Sequence, residues 1–160
     1  MALNFPASPT DGQIYTDAAT GSQYKYISSF GYWSAVAPTI TGTIQYVIEN
    51  VDGTALYTGI AGDLEIPYNC TITQWSLLGN ATGNVVIDIW KSSYGNFPPV
   101  VANTVVPSTA KPRINYATKN NSSTLTGWST TINSGDILRF NVDSCDAISR
   151  VTVSLRATKV

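Results

Sequence analysis

The chain has 160 residues, room for one domain and a small appendage, with 43% hydrophobic residues, only 12% charged residues and a net charge of −1. That balance, without any Lys/Arg cluster, excludes an electrostatic footprint for nucleic acid, and no apolar run approaches the ~20 residues of a membrane helix. Histidine is absent altogether, which excludes Ser-His-Asp and Cys-His catalysis and nearly all zinc sites.

With so few charges, the surface must be covered by Ser, Thr, Asn and Gly, a composition that suits strands and turns rather than helices. Met1 to Thr10 holds two prolines and no apolar block, so it is not expected to act as a secretory signal. Cys70 and Cys145 are the only cysteines and are expected to be reduced, buried thiols.

The opening stretch Asn4 to Thr10 reads as extended, because a residue before proline is pushed away from helix. Three short strand signals follow at Ile14–Thr16, Gln23–Ile27 and Tyr32–Ala35, with Gly-bearing turns between them. This predicts a three-stranded ribbon over residues 1–38, too small to hold a core alone. Its aromatics (Tyr15, Tyr24, Tyr26, Phe30, Tyr32 and Trp33) are therefore expected to pack on something outside the ribbon.

From residue 39 to 160 the alternation lengthens. Ile44, Tyr46 and Ile48 share one face. Leu64 and Ile66 oppose Asp63 and Glu65, and Thr73, Trp75 and Leu77 alternate with Gln74 and Ser76. Val85, Ile87 and Ile89 oppose Asp88 and Trp90; Leu138, Phe140 and Val142 oppose Arg139 and Asn141; Val151, Val153 and Leu155 oppose Arg150, Thr152, Ser154 and Arg156. Period-two alternation over six segments predicts half-buried antiparallel strands, about eight of them, in a β-sandwich whose two apolar faces meet. Gly79 to Asn84 and Asn133 to Asp136 read as turns. The proline-bearing stretch Ser92 to Ala117 reads as a long crossing connection of the kind jelly-roll topologies require, with a short helical turn near Val100–Thr104.

Without histidine, the remaining catalytic option is a pair of carboxylates. Asp63, Glu65 and Asp88 fall on polar strand faces, and Asp136 and Asp143 fall in expected turns, so all read as solvated or salt-bridged surface acids. Asp143-Ser144-Cys145-Asp146 lacks a third nearby carboxylate for calcium and reads as a strand-connecting turn. No catalytic residue, metal site or cofactor is expected. The aromatics Tyr57, Tyr94, Phe97, Tyr116 and Trp128, in or beside loops, are the candidate contacts for a glycan or a protein partner; Tyr68 is placed similarly. Trp128 follows Gly127, where its indole N–H can find an acceptor.

Leu3-Asn4-Phe5-Pro6-Ala7-Ser8-Pro9-Thr10-Asp11-Gly12-Gln13-Ile14-Tyr15 resembles the LNFPxSPTxGQxY opening of many tailed-bacteriophage virion proteins. The aromatic ribbon that commonly follows it is matched by Tyr24-Lys25-Tyr26 and Gly31-Tyr32-Trp33. The stretch from about Thr43 to Lys159 resembles the jelly-roll-like domain found at phage fibre ends and in stand-alone head or tail surface proteins. It does so through Gly62-Asp63-Leu64-Glu65-Ile66-Pro67, Val86 to Lys91, Asn96 to Pro99, Leu125 to Trp128 and Gly135 to Val142. The resemblance implies a non-enzymatic structural protein of the virion, assembled in the bacterial host cytoplasm and usually trimeric. Its expected role is capsid decoration or cement, or head fibre. The alternatives are a tail-fibre or receptor-binding tip contacting host surface glycans, and, least expected, a glycan-degrading enzyme. Partners would be other capsid or tail proteins and sister copies, with neither nucleic acid nor membrane. Leu3, Phe5, Pro6, Tyr15, Tyr32 and Trp33 are the expected docking residues.

Overall fold

The computed structural model describes residues 3–160 and contains strands and single-turn 3-10 segments but no α-helix among them. Two compact units divide the chain, one ending at Thr39 and the other running Ile40–Val160.

The first unit is a three-stranded antiparallel sheet of β1 (Ile14–Thr16), β2 (Gln23–Ile27) and β3 (Tyr32–Ala35), in that order. Pairing of Tyr15 with Tyr24 and of Tyr26 with Trp33 puts these rings on one face. Phe5 lies across them, stacked on Trp33 at 5.0 Å between centroids and edge-on to Tyr15 and Tyr24. The expectation that these aromatics pack on something outside the ribbon is thus corrected for Tyr15, Tyr24, Tyr26 and Trp33. The proline-bracketed segment before the ribbon supplies the ring that covers Tyr15, Tyr24 and Trp33, and Tyr26 packs on Trp33.

The second unit is a curled antiparallel sheet that forms the predicted sandwich from β4 (Thr41–Glu49), β5 (Gly59–Ile66), β6 (Cys70–Ser93), β7 (Arg113–Ser122), β8 (Thr131–Ile132), β9 (Asp136–Asp146) and β10 (Arg150–Lys159). Strand order is β4-β10-β6-β9-β5, with β7 and β8 also pairing with β6. β6 is the hinge of this arrangement. Its first half pairs with β10, from Cys70 opposite Lys159 to Gly79 opposite Val151. Its second half pairs with β9, from Asn84 opposite Asp146 to Ser93 opposite Asp136. The β9–β10 connection therefore sends one arm to each layer.

Gly79 to Asn84, expected to be a turn, is instead the corner of this one strand, which merges two expected strands and leaves seven in the unit rather than about eight. Register shifts on either side of Gly83 mark the bend. A Cβ on Gly83 would sit 2.5 Å from the Asp146 carbonyl oxygen, so the bend needs glycine there. A second irregularity corrects the placement of Thr73. Gln74 pairs with Arg156 and Ile72 with Ala157, so Thr73 is an extra, exposed bulge residue, and Ile72 joins Trp75 and Leu77 in the core.

The apolar side of the alternation is obeyed, while Asp88, Trp90, Ser92, Asp136, Arg139 and Ser154, read as polar-face or turn residues, are buried as well. Val85, Ile87, Ile89, Leu138, Phe140, Val142, Val151, Val153 and Leu155 are all buried, while Arg150 and Arg156 are exposed. Tyr46 of β4 stacks on Phe140 of β9 at 4.7 Å and donates its hydroxyl to the Ala61 carbonyl of β5 at 3.2 Å, fastening one layer to the other. A Cβ on Gly62 would overlap that hydroxyl. Cys70 and Cys145 are both free, Cys70 buried and Cys145 only partly so, and burial pushes both thiols up in pKa.

Phe140→Ala should cost about 3–5 kcal/mol through lost burial and an unfilled cavity, measured by denaturant unfolding. Gly83→Ala should also destabilise, because the crowding atom is backbone and cannot rotate away.

Candidate functional site

The connection between β6 and β7 runs from Tyr94 to Pro112 and contains three 3-10 turns, Tyr94–Asn96, Val101–Asn103 and Ser108–Ala110. The second fulfils the helical turn expected near Val100–Thr104. This segment crosses the face of β6 that carries Asp88, Trp90 and Ser92. Thr104 bridges Trp90, and the Val105 amide donates to the Ile89 carbonyl at 2.8 Å. The face read as solvent-exposed is therefore covered, and Asp88, at 1% exposure, is corrected from surface acid to buried acid.

Asp88 is satisfied by the segment that buries it. Its Oδ2 accepts from Lys111 Nζ at 2.7 Å, and its Oδ1 accepts from the Thr104 hydroxyl at 2.6 Å and the Ile89 amide at 2.8 Å. Lys111 Nζ also donates to Asp143 Oδ2 at 2.6 Å, so one ammonium joins β6, the crossing segment and β9. Burial works to raise the Asp88 pKa. Hydrogen bonds from Lys111 and Thr104 outweigh it and hold the carboxyl below its ordinary value, with a weaker contribution from the Trp90 indole N–H, which falls short of a full hydrogen bond. Burial likewise works to lower the Lys111 pKa, and Asp143 and Asp88 together raise it.

A second pair lies on β5 and β9. Arg139 makes a two-pronged contact with Asp63, Nε to Oδ1 at 2.7 Å and Nη2 to Oδ2 at 2.8 Å, and donates Nη1 to the Pro99 carbonyl at 3.0 Å. Its guanidinium lies 5.4 Å over the Phe97 ring. Asp136 meets Lys91 at 3.2 Å. Asp136 and Asp143, expected in turns, lie within β9, as does Asp146; the turn itself falls at residues 147–149. Lys111 and Thr104 carried no signal of their own in the sequence. The signal that could have found them is the proline-bearing crossing segment, too long to hang free of a compact sandwich.

The loop aromatics divide. Trp128 is buried, its indole N–H donating to the Ala110 carbonyl at 3.2 Å, so it is part of the core and offers no contact surface. Phe97 is half-exposed beneath Arg139. Tyr57 lines an open groove of about 480 Å³ with Val47, Ile60 and Ala61, its hydroxyl bonded to Asp52 at 3.0 Å. Tyr94 is exposed on the first 3-10 turn. No ring pair joins Tyr57, Tyr94, Phe97 and Tyr116 among the described residues.

Tyr116 differs from the rest because its backbone is strained. Its φ is +47°, a region an L side chain with a bulky ring rarely adopts, and its ring is 80% exposed. Its amide donates to Asn84 Oδ1 at 2.9 Å, and Asn84 is itself clamped by Asp146 through two 2.8 Å bonds. Another open hollow, about 510 Å³ within the first unit, is lined by residues 20–24 and 35–39 and by no charged group.

No protein-family model and no curated protein matches the sequence. A solved structure of the infectious bursal disease virus Gx strain is similar over 79% of this chain at 10% identity and a TM-score of 0.30; the chain spans 38% of that chain's length.

Lys111→Met should leave the buried Asp88 carboxylate unpaired and cost about 3 kcal/mol near neutral pH, with part of the loss recovered when Asp88→Asn is added. The sign follows from the shifts. The lowered Asp88 pKa makes its stabilisation complete above the unfolded carboxylate value and lost as pH falls through the folded one. The raised Lys111 pKa makes its share complete below the unfolded ammonium value and lost only as pH rises through the folded one. The wild-type advantage over Asp88→Asn should therefore fade on acidification below about pH 4, read from unfolding midpoints across pH. Tyr116→Asn, which relieves the strain, should raise stability by up to about 1 kcal/mol.

Proposed function

We propose that this chain is a non-enzymatic structural protein of a tailed-phage particle, a capsid decoration, cement or head-fibre protein working as a homotrimer and attached through its first unit. The observation that carries the reading is the state of that unit. The residues of its virion-type opening are built into a compact object, Phe5 closing over Tyr15, Tyr24 and Trp33, yet no described residue up to Thr39 is fully buried. A folded unit that keeps this much apolar surface in water is stabilised when another protein covers it.

The acids support binding over catalysis. Asp88 and Asp143 are drawn together by Lys111, which sits between them, and Asp88 is held ionised. A general acid needs the opposite, a raised pKa. Asp63 and Asp136 are likewise engaged by Arg139 and Lys91.

Tyr116 favours a second reading, a fibre tip that contacts host glycan. At φ +47° glycine or asparagine would be relaxed, yet the position holds an exposed aromatic ring.

Copy number decides between them: on the order of hundreds of copies per particle places the protein on the capsid, and a few to a few dozen on the tail. A chain of residues 40–160, which keeps the sandwich core, should fold but no longer join particles. Attachment of that truncated chain at full occupancy would place docking in the sandwich. Tyr116→Ala should leave particle incorporation unchanged and, under the second reading, abolish binding to host cells.

A further inference from the structure

The three-stranded unit has two faces, and only one is closed. Pairing of Ile14 with Lys25, Lys25 with Ser34 and Ile27 with Tyr32 puts these five side chains on the face opposite the Phe5 cluster. Phe30, in the β2–β3 turn, packs beside Tyr32 with ring centroids 5.8 Å apart. On this face Ile14 and Tyr32 are each 50% exposed and Phe30 72%. In a unit this small, three large apolar side chains in water around one ammonium form an uncovered surface.

Lys25 indicates what covers it. It is the only cation between Leu3 and Thr39, and the two acids of that stretch serve their own turns. Asp11 accepts from the Ser28 amide and hydroxyl at 2.9 Å each, and Asp17 caps the turn at Ala19 and Thr20. Asp11 lies within Coulomb reach of Lys25 but forms no ion pair with it. A second copy of this unit turned onto the same face about a two-fold axis would bring ammonium toward ammonium, and a three-fold neighbour could offer from this unit only Asp11 and Asp17, both already engaged. An apolar surface carrying a carboxylate matches the face on both counts.

We propose that the docking face of the first unit is this open side, Ile14, Lys25, Phe30 and Tyr32, and that its occupant is an apolar patch on another virion protein with an acidic side chain over Lys25. This rests on the attachment role proposed above and reassigns it. Phe5, Tyr15 and Trp33, expected as docking residues, hold the unit together, and Tyr32 with its neighbours makes the contact.

The test uses the full-length chain and particles that lack it. Phe30→Ser should weaken binding roughly tenfold or more, the scale of one buried aromatic. Lys25→Glu should weaken it comparably and change how binding responds to salt. In the wild-type protein, acylation of Lys25 should be suppressed on particles while that of exposed Lys119 is not, a reading that needs no variant to fold. Wild-type protein that fails to bind particles overturns the attachment role and this proposal together. Wild-type binding with both variants unimpaired and Lys25 still reactive overturns the proposal alone. Variants that lower the oligomeric state of the free protein would make the face a contact between copies, which also overturns it.

Discussion

Every backbone amide and carbonyl that leaves water must find a partner, and in this sandwich that constraint falls on one strand. β6 runs 24 residues from one layer into the other, and its partner on one edge changes from β10 to β9 as it passes the corner. The two partners are consecutive in sequence, so the connection between them has to diverge where β6 bends. Gly83 permits the bend by allowing the Asp146 carbonyl to approach closely, and the Asn84–Asp146 hydrogen bonds hold the same corner from the side-chain level. The strained Tyr116 hangs from Asn84. Corner, β9–β10 connection and displayed ring thus form one coupled construction.

The second half of β6 is buried on both faces, by different means. Val85, Ile87 and Ile89 face the other layer. Asp88, Trp90 and Ser92 lie under an irregular crossing segment. An irregular covering offers only a short stretch of ladder, at Thr104 and Val105, so the buried charges are met by single reaches: Thr104 and Lys111 side chains reach back to Asp88, and Pro99 offers its backbone carbonyl to Arg139. Charges are scarce in this chain, and several of them are used as internal fasteners. That explains how so neutral a protein still contains buried ion pairs, with Asp88 and Asp63 already engaged by Lys111 and Arg139.

The strand faces were legible wherever burial follows chain-local alternation. Leu138, Phe140 and Val142 announce their side of the sheet because Arg139 and Asn141 interrupt them. Three features escaped for physical reasons. Gly79 to Asn84 has the composition of a turn, and a sheet corner needs the same residues, since both demand close backbone approach. Asp88 looks solvent-facing because alternation reports which face a residue is on, not whether a later segment lies over that face. The Phe5 cluster was hidden because a ring between prolines shows no period, so nothing local ties it to the ribbon it caps. Among the candidate contacts, Trp128 was indistinguishable in sequence from Tyr116, although one donates its N–H inside the core and the other projects into water.

The two units solve opposite problems. Residues 40–160 are numerous enough to enclose a core, and eleven of their Ile, Leu and Phe side chains are almost wholly buried. The unit ending at Thr39 is at about the 40-residue length below which a chain rarely encloses a core unaided. It gathers its rings by cross-strand pairing and one stacked phenylalanine, which covers one face of a sheet and leaves the other bare. A three-stranded sheet with one cap has no means to cover both sides. Its uncovered apolar side is therefore a consequence of its size, and an uncovered apolar side with a single unanswered ammonium is a surface suited to meeting a different protein.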